Sequence, residues 1–226
     1  MALSHAYRSP TSTLAVYFDR LNADFFRSFG FYIDHDFFDR DLCARLRAEA
    51  RAAAGDAATV RTQGAEYAVN EQIRRTHLAR VSNASAALVE RRLMALKGNL
   101  DRHFNVTTTG IRPPQFLVYR AGDFFRPHAD NSTSADAPAV ATGRRVSIVI
   151  FLNGEGAAAD HEAYSGGSLT FFGLMNDARA DDRGFPITGE TGLLVAFPSQ
   201  YVHSVTPVTL GVRCTIVSWL EGDGSR

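Results

Sequence analysis

Lysine is almost missing from this sequence: Lys97 stands alone among 24 basic residues, and arginine supplies the rest. The acidic residues also number 24, so the formal net charge is zero. That balance leaves no electrostatic footprint for nucleic acid or an anionic membrane surface, and neither is expected as a partner. Cysteine is scarce too. Cys43 and Cys214 lie far apart and in no metal-binding spacing. They exclude a disulfide framework and point to a reducing compartment. No apolar run approaches the roughly 18 residues that a membrane-spanning helix needs. The first ten residues lack the charged start and apolar stretch of a secretory signal. A soluble, cytoplasmic protein is the expectation, with its oligomeric state left open.

With 226 residues, 45% of them hydrophobic and 21% charged, the chain can bury a core of ordinary size. Its patterning changes near residue 110. Before that point it is mostly helical. Leu14, Phe18, Leu21, Phe25 and Phe29 recur at helical steps, and Gly30 ends the run. Phe31 to Ile33 reads as a short strand. Asp39 can cap a helix through Leu42 and Leu46 to Gly55. A third helix starts after Ser85, carries Val89, Leu93, Leu96, Leu100 and Phe104 on one face, and closes at Asn105. Residues 55–80 are polar and read as loop with some extended structure.

From Pro113 onward the pattern is that of strands. The candidates are Gln115 to Arg120, Phe124 to Ala129, Arg145 to Leu152, Ser168 to Phe172, Gly192 to Phe197, His203 to Pro207 and Val212 to Leu220. Short strands without a long helix among them predict an α+β chain whose second half is a β-sandwich or barrel. The expected division is a helical support segment at 1–110 and a core at 111–226, together one compact domain. The loops at 131–143, 153–167 and 173–189 are rich in small residues, and substrate contacts are expected there.

Of the seven histidines, only His128 opens an H-x-D triplet, His128-Ala129-Asp130. Residues i and i+2 of a strand project from one face, so this imidazole and carboxylate can reach one ion together. Alone, such a triplet is a weak signal. Likewise His203 alone reads as a strand-end histidine and Arg213 alone as a surface arginine.

The order of the surrounding residues is more specific. Tyr119, Gly122, Phe125, His128 and Asp130 spell Y-x-x-G-x-x-F-x-x-H-x-D. Arg144, Ser147, Leu152 and Asn153 spell R-x-x-S-x-x-x-x-L-N, and Gly166 to Phe171 spell G-G-x-L-x-F. His203 follows, with Arg213 ten residues later. From about residue 113 to 220 the chain resembles the Fe(II)- and 2-oxoglutarate-dependent dioxygenases, in particular the prolyl 4-hydroxylase-like branch. The insertion between Asp130 and Arg144 departs from that pattern.

The resemblance implies a double-stranded β-helix (jelly-roll) core with the N-terminal helices packed on one sheet. It implies that His128, Asp130 and His203 bind one Fe(II), an arrangement that leaves three positions open. It further implies that Arg213 binds the far carboxylate of 2-oxoglutarate, which suits a guanidinium fork. Thr215 and Tyr119 would assist, and O2 and ascorbate would serve as oxidant and reductant. The implied reaction hydroxylates an unactivated C–H bond, on a prolyl or other residue of a protein or peptide, with release of succinate and CO2. Phe125, Leu169, Phe171, Val195 and Phe197 would keep the site dry.

Other readings stand beside this one: a free amino acid or small metabolite as substrate, a non-catalytic metal-binding β-barrel sensor, or a zinc hydrolase. The last leaves Arg213 unexplained. Trp219 and the phenylalanine pairs 124–125 and 171–172 read as core. Cys214 should face away from Arg213. His5, His35, His77, His103 and His161 have no ligand spacing, although His161 and Tyr164 sit in a loop that could touch substrate.

Overall fold

The computed structural model describes residues 23–57, 60–61, 67–68, 72–131, 143–156, 162–175 and 183–222. Leu14, Phe18 and Leu21 of the expected first helix, the body of the 131–143 insertion, and His5 and His161 lie outside them. Residues 23–28 are helical, and Gly30, at φ +80°, ends that run as expected.

Two antiparallel sheets face each other. The larger runs Tyr32–Asp34, Leu194–Pro198, Arg144–Phe151, Arg213–Glu221, Gln115–Tyr119, His77–Ala79, Ala54–Ala57, with Gly110–Ile111 also paired to Arg213–Glu221. The smaller runs Phe185–Ile187, Leu169–Phe171, His203–Val205, Phe124–His128, Arg74–Arg75. This is the expected double-stranded β-helix.

Both faces of the larger sheet are covered, which explains its near-continuous apolar strands. Val146, Ile148 and Ile150 alternate with Ser147, Val149 and Phe151 along one strand. The first set packs under the helices with Phe116, Val118, Cys214 and Ile216. Val149 and Phe151 look the other way and pack with Leu169, Phe171, Val195 and Phe197 between the sheets. The same alternation turns Cys214 toward the helices and Arg213 and Thr215 inward.

The helices cap as their sequences demand. The Asp39 carboxylate accepts from the Leu42 backbone N–H at 2.7 Å and starts Arg40–Ala53. The next helix is Asn83–Phe104, and it begins earlier than expected because Ser82 is its cap, accepting from the Ser85 N–H at 3.3 Å. Asn105 closes it in the left-handed region at φ 50°. Its Val89, Leu93, Leu96 and Leu100 are buried against the larger sheet. None of the described helices is long and apolar enough to cross a membrane.

Three expectations are corrected. The alanine-rich helix gives way to strand at Ala54, because pairing with His77–Ala79 overrides helix propensity. The extended structure expected within 55–80 is paired sheet and not loop: Arg74–Arg75 joins the smaller sheet and His77–Ala79 the larger. The regions read as loops contain the strands Tyr164–Gly166 and Phe185–Ile187, and Val208–Gly211 pairs with the former. Strands of two to four residues carry too few positions for a period to emerge.

Candidate active site

The strand Phe124–His128 pairs with His203–Val205 so that His128 lies opposite His203. Their ring centroids are 4.3 Å apart. Asp130 follows the end of the first strand and reaches both rings. Its Oδ1 is 3.7 Å from His128 Nε2 and its Oδ2 is 3.7 Å from His203 Nε2. These gaps exceed a hydrogen bond. One atom from each residue lies within 4.8 Å of the others, a spacing that could hold a metal ion, and among the described residues no other such group occurs.

The far side of each imidazole fixes its tautomer. His128 Nδ1 is 2.9 Å from the Arg126 carbonyl oxygen, and His203 Nδ1 is 3.0 Å from that of Tyr201. A carbonyl only accepts, so each Nδ1 carries a proton and donates, which leaves each Nε2 as the ring atom turned to the site. Burial and the neighbouring His203 push the His128 imidazole well below its ordinary pKa. Burial pushes the Asp130 carboxyl up, but the two facing imidazoles and a hydrogen bond from Ser147 outweigh it and hold it below the usual carboxylate range. A neutral imidazole beside an ionised carboxylate is the state that binds metal.

Asp130 is anchored across the sandwich. Ser147 Oγ, from the larger sheet, donates to its Oδ2 at 2.7 Å and lies 3.0 Å from Ser199 Oγ. Arg144 lies 3.7 Å from Oδ1, with its guanidinium 3.9 Å above the Trp219 ring. Phe125 stacks on His128 at 3.6 Å, and Phe197 meets His203 edge-on at 4.9 Å. The apolar wall expected around the triplet is therefore in place.

A second polar group lies in the same interior. Arg213 is only 1% exposed, although it carries a permanent charge. Its Nη1 donates to Thr215 Oγ1 at 3.2 Å, and the aromatic rings of Tyr119 and Phe151 stand 5.1 Å from its guanidinium. Among the described residues no carboxylate forms an ion pair with it. Its Nε and the buried hydroxyl of Tyr164, whose ring is 6.0 Å away, both lack a hydrogen-bond partner. Burial pushes the Tyr164 hydroxyl up to about 12, so it stays a neutral donor. The Glu155 carboxyl is near enough to feel the Arg213 charge but does not bond it, and a buried cation beside an unpaired hydroxyl is a socket for an anion. The donor chemistry thus fits both a divalent metal at the triplet and a carboxylate at Arg213.

Sequence reasoning placed Tyr164 in a loop at the substrate. It is instead buried on the short strand Tyr164–Gly166, in the Arg213 pocket. The available signal was its place just ahead of the Gly166-Gly167 pair. Gly167 sits at φ +67°, and a Cβ there would come within 3.0 Å of Arg213 Cδ, so the glycine gives the arginine stem room to pass. The other described histidines stand apart. His35 pairs with Glu190, His77 lies near Asp123, and His103 meets the Gly30 carbonyl.

A family model described as the 2OG-Fe(II) oxygenase superfamily matches residues 114–221, the stretch that holds all of these groups. The matched stretch belongs to that superfamily. Among relatives of this chain, a PKHD-type hydroxylase of Klebsiella pneumoniae (strain 342) is 29% identical over 163 residues. The match takes in 72% of this chain but only 64% of that relative's length. A prolyl-4-hydroxylase of Pseudomonas putida shares the fold at TM-score 0.63 and 21% identity, over 85% of this chain and 92% of that one. So does a prolyl hydroxylase of Trichoplax adhaerens, solved with a hypoxia inducible factor peptide fragment. Its TM-score is 0.64 at 18% identity, over 95% and 94% of the two chains. The fold is that of the prolyl 4-hydroxylase-like branch of the superfamily.

The Ser147 contact gives a first expected result. Ser147→Ala removes the hydrogen bond that orients Asp130 and should weaken Fe(II) binding about 10- to 100-fold, with little change in melting temperature. Anaerobic metal titration checks it, and an unaltered affinity would mean that Asp130 needs no such anchor.

Proposed function

We propose that this chain is an Fe(II)- and 2-oxoglutarate-dependent dioxygenase that hydroxylates an unactivated C–H bond on a prolyl or other residue of a peptide or protein. The observation that carries the reading is the pairing of two groups in one dry interior. One is the His128, Asp130, His203 triplet, with two Nε2 atoms and a carboxylate turned to one point; the other is the buried Arg213, which among the described residues has no carboxylate within ion-pair distance. A sensor or a zinc hydrolase needs the first and leaves the second unused.

In this reading the two Nε2 atoms and the Asp130 carboxylate would hold Fe(II). Arg213 receives the distal carboxylate of 2-oxoglutarate, Thr215 fixes the guanidinium, and Tyr119 and Tyr164 line the same pocket. When bound, iron and 2-oxoglutarate supply the oxidising chemistry: O2 is consumed, 2-oxoglutarate becomes succinate and CO2, and a hydroxyl is installed on the substrate. The chain's own share is orientation and exclusion of water. Phe125, Phe171 and Phe197 pack about the imidazoles and keep solvent from the reacting centre. Ascorbate serves as the reductant that restores Fe(II), and the cytoplasm supplies the reducing setting. The described residues before 110 support the 111–226 core through two helices and through strands at the edges of both sheets. A peptide substrate is favoured by the fold neighbour from Trichoplax adhaerens, which holds a peptide.

The test is incubation with Fe(II), 2-oxoglutarate and ascorbate under air, in separate arms with proline-containing peptides and with free amino acids. The expected result is succinate formation stimulated by peptide, together with a gain of one oxygen atom in the peptide mass. Stimulation by free amino acids alone would move the substrate to small metabolites. Absence of succinate in every arm would remove the dioxygenase reading.

A further inference from the structure

The Leu152-Asn153 end of the R-x-x-S-x-x-x-x-L-N stretch has no part in the chemistry so far. Leu152 is core, but Asn153 is a polar side chain only 1% exposed, and it makes three hydrogen bonds, using both of its N–H donors. Its Oδ1 accepts from the Cys214 backbone N–H at 2.9 Å. Its Nδ2 donates to two carbonyl oxygens, those of Val212 and Glu162, each at 2.8 Å. The partners Val212 and Cys214 are the two neighbours of Arg213, and Glu162 lies two residues ahead of Tyr164.

We infer that Asn153 is a positioning residue for the anion pocket, its one amide setting Arg213 and Tyr164 at their common place. The inference rests on the dioxygenase reading, in which that pocket takes the distal carboxylate of 2-oxoglutarate.

The need for such a residue follows from the sheet. The ladder between Arg144–Phe151 and Arg213–Glu221 has its last residue pair at Phe151 and Thr215. One more backbone bond, from the Leu152 N–H to the Cys214 carbonyl at 3.0 Å, extends it. Beyond that the two strands part, and on this side of Arg213 the backbone N–H of Cys214 would otherwise be buried and unpaired, while the carbonyl of Val212 would keep only a long 3.4 Å bond from Arg51. The Asn153 side chain replaces the missing rung. With its third bond it also ties down the chain that leads into Tyr164–Gly166. Only an asparagine head at this reach offers one acceptor and two donors in a plane. Aspartate keeps the acceptor but turns lone pairs toward two carbonyls; alanine offers nothing. A side chain that served stability alone would have no reason to bracket the one buried cation of the pocket and its neighbouring hydroxyl together.

The test compares two acids on the Fe(II)-loaded, full-length protein without oxygen, by calorimetric titration. One is 2-oxoglutarate; the other is 2-oxopentanoate, which has the same carbon chain but a methyl group in place of the distal carboxylate. Asn153→Ala should weaken 2-oxoglutarate binding by at least about tenfold. It should leave 2-oxopentanoate and Fe(II) affinities within about twofold of their original values. Asn153→Asp, of the same size, should behave likewise, and it carries the test alone if the alanine variant fails to fold. Equal losses for the two acids, or no loss for 2-oxoglutarate, would overturn the inference. If the unaltered protein binds no 2-oxoglutarate, the dioxygenase reading itself falls, and that outcome is distinct because it appears before any substitution.

Discussion

Asp130→Ala should reduce succinate formation to background and weaken Fe(II) binding by more than about 100-fold, since a change one shell further out already costs 10- to 100-fold. The reason lies in the position of this carboxylate. It faces both Nε2 atoms at 3.7 Å and supplies the only negative charge in the triplet. Without it, two neutral imidazoles 4.3 Å apart would have to share a divalent cation with no charge compensation. The Ser147 hydroxyl would lose its acceptor, while the flanking apolar packing would stay as it is. A folded protein without metal is therefore expected, and circular dichroism together with metal titration separates that from collapse. Substantial turnover in the variant would sink the ligand assignment.

The second large effect is expected at Arg213, and it has opposite signs for binding and for stability. Arg213→Met keeps an unbranched side chain but removes the charge. Removing one partner of a buried charge pair typically costs 2–5 kcal/mol, so 2-oxoglutarate affinity should fall at least about 30-fold while Fe(II) still binds. In the absence of 2-oxoglutarate the same variant should melt no lower than the original, and by a few degrees higher if desolvation dominates. A buried guanidinium with an unpaired Nε is a cost to the empty fold that a bound carboxylate offsets. Titration of the loaded protein and thermal melting with and without 2-oxoglutarate check both halves. Loss of iron affinity in Arg213→Met would contradict the assigned role.

Much of this architecture was legible in the residues because it is written in two periods. Val89, Leu93, Leu96 and Leu100 follow the helical period. The alternation through Val146, Ile148 and Ile150 follows that of a strand, and both ended up on the face they predict. Asp39 and Asn105 were readable as caps because their chemistry is local. Residues 74–79 were not legible, since their strand character comes from partners at 116–118 and 124–125 and from nothing in their own sequence. The candidate site divides in the same way. His128, Asp130, His203 and Arg213 stood out through motif order, and the structure brings them into one interior. Tyr164 and Asn153 were passed over as loop and motif end. Their importance depends on which buried atoms they meet, and spacing along the chain does not encode that.

The division of labour between the two sheets has a mechanical consequence. Both histidines sit on the smaller sheet, whereas Ser147, Tyr119, Arg213 and Thr215 belong to the larger. Asp130 spans the gap through its bond to Ser147. An ion and a dicarboxylate seated there would act as a rivet through two plates that the 199–202 connection and the Asn131 N–H bond to the Ser199 carbonyl already join nearby. Loading the site would then stiffen the sandwich at its mouth, and substrate would meet a closed, braced rim only after both earlier occupants had arrived.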